Sequence, residues 1–376
     1  MEPWRIGILF SRSGAMEVTE SEHFFGTALA IEEINGSGGI LGRSVEPVCY
    51  DPASEPGLYR KLAERLLGED GVDVIFGCST SASRKAVLPV IERRNGLLWY
   101  PSLYEGFEYS PNIIYTGAAP NQNSVQLAAY LLQEYGSTIY LIGSDYIYPR
   151  ETNRLMREFV ESQGGEIVGE VYVPIGSDTN PFPRIIDDIR RAAPKVIFST
   201  VVGHDAQAFY RLYSDAGFDP RRQPIASLTM AEGEIQVIGP ERCVGHITAG
   251  SYFGTVKSDV SRGYVSRYRA RYGADAPVSM WSEVAYSQAH LFAAALERAG
   301  TLDTQRLTEA ALGLDWQAPG GRMLIEPENH HTWLTPRIGR VRADGEFDIV
   351  WEAKGPVRPD PYLTCSAPAG NAWLSS

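Results

Sequence analysis

The chain has 376 residues, 44% of them hydrophobic and 21% charged, with 34 basic against 46 acidic side chains and a net charge of −12. That length exceeds one ordinary hydrophobic core and implies two domains. The acidic balance argues against direct binding to DNA, RNA or anionic lipid, and no run of 18 apolar residues offers a membrane-spanning helix.

An apolar strand over Ile6–Phe10 opens the chain, followed by a loop, SRSGAMEVTES, and a helix from about Glu22 to Asn35 that GSGG stops. A strand at Val45–Asp51 and a helix at Gly57–Gly68 follow, the helix carrying Leu58, Leu62 and Leu66 at i, i+4 spacing. Then come a strand at Val72–Phe76, a helix over Arg84–Asn95 and a strand at Leu97–Tyr100. The same rhythm restarts near Gln122. Helices at Ser124–Tyr135, Arg150–Gln163, Phe182–Ala193 and Asp205–Ala216 alternate with strands at Thr138–Ile142, Glu166–Val173, Val196–Thr200, Pro224–Ser227 and Gly245–Gly250. Strands alternating with helices predict an α/β fold of two doubly wound parallel-sheet lobes. Helices at Asp259–Tyr272 and Ser282–Gly300 precede a strand-rich tail, which begins at Gly321 and reads as added strands and crossings for the two lobes.

The stretch GCSTSASRKAVLPV carries the first functional signal. Two neighbouring strand ends bring Ser79, Thr80, Ser81, Tyr100, Ser102 and Tyr104 together, and ligands of open α/β sheets bind outside the carboxyl ends of strands. Hydroxyl groups donate and accept, which suits a small neutral polar ligand. In GSDYIYPR, Tyr146 and Tyr148 offer apolar walls with hydroxyl tips, although one or both can equally pack in the loop base. Arg84 and Lys85 begin a helix pattern and read as solvated or paired. Glu105 and Asp145 are the acidic groups near the mouth, and Asp145 also fits a helix cap.

Nucleophilic or phosphate chemistry finds no support. There is no G-x-S-x-G elbow, Gly36–Gly39 is a helix stop, and the lone His204 after a strand end is more often structural. The four cysteines (Cys49, Cys78, Cys243, Cys365) read as free thiols, and the histidines show no metal-ligand spacing, so neither a metal nor a cofactor is expected. A binding protein, not an enzyme, is the expectation.

The segments YEGFEYSPNI, APNQNS, GSDYIYPRE, IFSTVVG, PIASLT and RPDPY resemble the type I periplasmic-binding-protein family, in particular the amide-sensing regulators of amidase expression. GCSTSASRKAVLPV, NGLLWYP, IGPE and EPENHHTW are equally similar to the urea-binding proteins of ABC transporters. This resemblance covers roughly Ile6 to Tyr362. It implies two lobes, 1–119 plus 251–328 and 120–250 plus 329–376, joined by crossings near Ala118–Gln122, Ala249–Tyr252 and Ile325–His331, with ligand in the cleft between them. It places Ser79, Ser81, Tyr100, Ser102, Leu103, Tyr146, Tyr148, Val202 and Thr229 at ligand-contact positions. Two departures stand out: Ser79 replaces a tyrosine of the amide sensors, and Ser102-Leu103 replaces Thr-Pro.

The resemblance implies a short-chain amide or urea as ligand and a ligand-gated negative regulator acting on an RNA-binding antiterminator protein. The alternative is the substrate-binding component of a urea or amide ABC transporter, delivering to a membrane permease. A homo-oligomer is expected. The first residues, MEPWRIGILFSRSG, lack a leader pattern, which favours a cytoplasmic location over a periplasmic or lipid-anchored one.

Overall fold

The computed structural model describes residues 2–176 and 180–364, so Cys365 and the end of the expected second lobe lie outside the described residues. Strands β1 (Trp4–Leu9), β2 (Val45–Tyr50), β3 (Val74–Gly77), β4 (Leu97–Tyr100) and β5 (Ile113–Tyr115) form an all-parallel sheet in the order 2-1-3-4-5. Short apolar strands such as VIFG and LLWY are buried along their whole length, as strands covered by helices on both faces must be. The crossover helices are α1 (Glu17–Gly36), α2 (Pro56–Gly68) and α3 (Ser81–Arg94).

The second sheet repeats this order. Its parallel part runs β7 (Glu166–Val173), β6 (Thr138–Ser144), β8 (Val196–Thr200), β9 (Ile225–Ser227) and β10 (Ile247–Gly250). Helices α4 (Ser124–Glu134), α5 (Ile147–Ser162), α6 (Phe182–Ala192), α7 (Gly203–Asp215), α8 (Glu232–Ile238) and α9 (Pro240–Cys243) belong to this part of the chain. Next come α10 (Asp259–Tyr272), α11 (Met280–Ala299) and α12 (Thr304–Ala311), followed by β11 (Asp315–Ala318), β12 (Gly321–Ile325) and β13 (Thr332–Trp333) in a small antiparallel sheet. Two antiparallel strands, β14 (Arg337–Val341) and β15 (Phe347–Glu352), finish the second sheet beside β10.

Helix α11 is buried over most of its length and packs along α1. Gly26 permits that approach, since a Cβ there would run into the carbonyl of Ser282. Phe292 of α11 then stands edge-on to Phe76 at 5.2 Å and to Trp99 at 6.0 Å, tying helix to sheet.

The chain passes between the two large sheets after β5, after β10 and after β12. The first and third passages are bonded together: Gln122 Nε2 donates to the Thr332 carbonyl (3.0 Å) and the Tyr115 amide to the His330 carbonyl (2.9 Å), while Gln122 Nε2 also reaches the Val357 carbonyl (2.8 Å) in the segment after β15. Arg337 reaches the second passage through the carbonyl of Ser251. The PVRPDPYL segment lies against the same region, where the Phe107 amide donates to Pro361 O at 2.9 Å.

Three helices start three or more residues earlier than expected. Helix α1 begins at Glu17 rather than Glu22, α3 at Ser81 rather than Arg84, and α5 at Ile147 rather than Arg150. Each first turn is hydroxyl-rich, acidic or aromatic and faces the other lobe, so it lacks the apolar stripe that marks a helix in sequence. Strands β5 and β11 and helices α8, α9 and α12 were not expected. All are eight residues or shorter, too short for periodicity to show.

Candidate functional site

The strand order 2-1-3 turns about β1 in the first sheet, and the order 7-6-8 turns about β6 in the second. Such switch points open a crevice at the carboxyl ends of the strands. Here the two crevices face one another and line a cavity of about 30 Å³. At roughly 10–15 Å³ per water, it holds about two water molecules.

From the first lobe, Ser79, Thr80 and Ser81 reach the cavity from the β3–α3 turn, and Ser102 and Leu103 from the end of β4. Tyr146 and Tyr148 enter from the start of α5, Val202 from the start of α7, and Thr229 from the end of β9. Eight of the nine expected residues therefore line one cavity. Tyr100 does not. It is buried behind the wall, donates from its hydroxyl to the Ser79 carbonyl at 2.6 Å, and so holds the β3–α3 turn in place.

Met16, Thr19 and Trp281 also line the cavity and were not foreseen. Met16 and Thr19 lie at the start of α1, in what reads as a loop, and Trp281 lies in the first turn of α11. A small N-terminal signal was present in EVTE, whose two acidic residues, Glu17 and Glu20, suit a first helical turn.

Among the described residues, no charged side chain lines the cavity. Directly beneath it, Arg84 is fully buried and ion-paired with Glu105 (3.3 Å) and Glu108 (2.6 Å), while Lys85 reaches Glu108 at 2.8 Å from the surface. The guanidinium also sits over the rings of Tyr100 (4.9 Å) and Tyr104 (4.7 Å). Burial works against its charge, yet Tyr100, Glu105 and Glu108 hold Arg84 more firmly protonated than usual. Burial likewise opposes the charge of Glu108, but Arg84 and Lys85 keep that carboxyl below its ordinary range. The two cations and two anions balance.

Ser81 donates to Glu105, and Ser102 Oγ donates to Ser79 Oγ at 3.0 Å. The Tyr148 hydroxyl, near Thr152, makes no hydrogen bond of ordinary geometry although it is buried. Tyr146 and Tyr148 lie with ring centroids 6.2 Å apart. Helices α3, α5 and α7 all begin at the cavity, and their amide ends favour the negative end of a ligand dipole.

Outside the cavity, Asp145 pairs with Arg150 at 2.7 Å, and His204 is exposed at the cleft rim, 3.4 Å from Glu17. Cys49, Cys78 and Cys243 are free thiols.

The periplasmic binding protein domain model matches residues 4–368, almost the whole chain. The chain belongs to the periplasmic binding protein family. Among curated relatives of this binding protein, a Leu/Ile/Val-binding protein homolog 6 of Brucella melitensis is 25% identical over 296 residues, 77% of this chain and 75% of the relative. The leucine-, isoleucine-, valine-, threonine- and alanine-binding protein of Pseudomonas aeruginosa is 22% identical over 306 residues, 79% of each chain.

Solved structures share the type I fold. A solute-binding protein of an ABC transporter from Rhodopseudomonas palustris BisB5, in complex with 3,4-dihydroxybenzoic acid, superposes with a TM-score of 0.85 at 20% identity, covering 95% of this chain and 99% of that one. The branched-chain amino acid transporter substrate-binding protein of Streptococcus pneumoniae, in complex with isoleucine, gives 0.81 at 20% identity over 95% and 100%.

This membership corrects the expected cytoplasmic location. The family is that of periplasmic binding proteins, and the solved relatives are solute-binding components of ABC transporters, which points outside the cytoplasm. The expectation rested on a missing leader, and where a sequence begins does not fix where a protein works.

Proposed function

We propose that this periplasmic binding protein is the substrate-binding component of an ABC transporter and that its cargo is a short-chain amide or urea. The transport role is that of the relatives above, whereas the regulatory role, gating an RNA-binding antiterminator, has no counterpart among them. The ligand class rests on one observation: among the described residues, those lining a very small cavity are all uncharged.

An amino acid brings a carboxylate and an ammonium into the cleft, and each calls for a charged or strongly polarised partner. Arg84 is the nearest buried cation, and Glu105 and Glu108 already hold it. An amide or urea needs only what the hydroxyls and helix ends offer, an oxygen acceptor at one end and N–H donors at the other. Walls on both lobes make the contacts complete only in the closed state, so ligand binding draws the closed population.

Isothermal calorimetry with acetamide, propionamide, urea, leucine and 4-hydroxybenzoate tests the reading. Binding of an amide or urea, with leucine and 4-hydroxybenzoate silent, is expected. Binding of leucine or the benzoate alone would overturn the ligand class.

A further inference from the structure

We infer that Glu105 and Arg84 fix the Ser81 hydroxyl as a hydrogen-bond acceptor toward the cavity, so that the site selects a ligand presenting an N–H there over the isosteric carboxylate. The inference rests on the amide reading above and gives it a mechanism of discrimination.

A serine hydroxyl has one hydrogen and two lone pairs. The Ser81 hydrogen points into Glu105, a carboxylate that Arg84 holds by an ion pair of 3.3 Å. One lone pair of Ser81 Oγ accepts from Arg84 Nη1, also at 3.3 Å. A single lone pair remains for the cavity that Ser81 lines. Glu105 and Arg84 are themselves almost fully buried, so neither is free to turn and release Ser81.

Ser79 has the opposite polarity. Its Oγ accepts from Ser102 at 3.0 Å, which leaves its own hydrogen to donate. The wall thus offers a donor at Ser79 and an acceptor at Ser81. A primary amide meets both, with its oxygen toward Ser79 and its N–H toward Ser81. A carboxylate of the same shape sets an oxygen lone pair against the Ser81 lone pair. Helix ends alone would welcome either ligand, so the choice between them falls to Ser81, and Glu105 is the positioning residue behind it.

The test is calorimetry of acetamide and acetate with the full chain and with Glu105→Gln. The glutamine amide can donate to Ser81 and free its hydrogen for the cavity. Acetamide affinity should fall about tenfold, the scale of one charge-assisted hydrogen bond, while acetate affinity holds or rises, so that the acetamide-to-acetate ratio drops at least that far. An unchanged ratio in a variant that still binds acetamide would overturn the inference and leave the amide reading standing. Should Glu105→Gln fail to fold, as its ligand-free melting curve would reveal, the unmodified protein decides: acetate bound as tightly as acetamide overturns the inference. If the unmodified protein binds neither acetamide nor urea, the amide reading falls and the inference falls with it.

Discussion

Thr19 in α1 donates to Glu234 in α8 at 2.5 Å, a hydrogen bond that crosses the cleft from the first lobe to the second. One turn further along α1, the Glu22 carboxyl lies against Gly233 and accepts from Ser279. Glu22 and Glu234 are both buried, with Glu232 as a third carboxylate nearby. Burial first, then the proximity of Glu234, pushes the Glu22 carboxyl well above its ordinary range, and burial raises Glu234 as well. Opening the cleft separates the two helices and returns both groups to water.

The closed form therefore holds protons that the open form releases, and this fixes the sign of the pH dependence. Above the ordinary carboxylate pKa of 4.5, closure must take up a proton, so closure is favoured at low pH and weakens as pH rises through the raised closed-state values. Ligand affinity should fall as pH rises above the ordinary carboxylate range. Glu234→Gln, which removes one of the paired carboxyls, should flatten that fall. Calorimetry in two buffers of different ionisation enthalpy would register the proton uptake directly, and equal heats in both would exclude it.

Gly203, at the start of α7, is a second point of close approach between the lobes. Its φ is +62°, and a Cβ there would meet the carbonyl of Ala15 on the opposite lobe. Gly203→Ala should cost about 1–2 kcal/mol of folding stability from the left-handed backbone. Its larger effect falls on closure, because the clash exists only when the lobes are together. Ligand affinity should drop at least about tenfold, or about 1.4 kcal/mol, against a small loss in ligand-free melting temperature. Equal affinity in variant and parent would mean that the lobes do not need this contact to close.

The parallel sheets were legible because their strands are short apolar runs between helices, and VDVIF and LLWY announce themselves. The hydroxyl cluster was legible for the same reason, since strand ends fix where Ser79, Ser81 and Ser102 must lie. Met16 and Thr19 were not. They precede or open a first turn of α1 that is polar because it touches the other lobe, and no local pattern distinguishes such a turn from a loop. Trp281 joins the cavity from a helix about 180 to 200 residues beyond the serines, a meeting set by the packing of α11 on α1. Tyr100 reads like its neighbours in sequence, yet alternation along β4 turns its ring behind the wall, where it serves Arg84 and Ser79.

Tyr148 carries a buried hydroxyl with no hydrogen bond of ordinary geometry at the edge of the cavity. With the cleft open this hydroxyl meets water, and when the lobes close a ligand can supply the partner that the protein does not. Tyr148→Phe removes the hydroxyl and keeps the ring against Tyr146. The ligand-free protein should then melt close to the temperature of the parent, while amide or urea affinity falls about tenfold. Lost affinity without lost ligand-free stability separates a ligand contact from a packing role. A lower melting temperature with unchanged affinity would assign Tyr148 to packing alone and move the ligand's polar contacts to the serines and Tyr146.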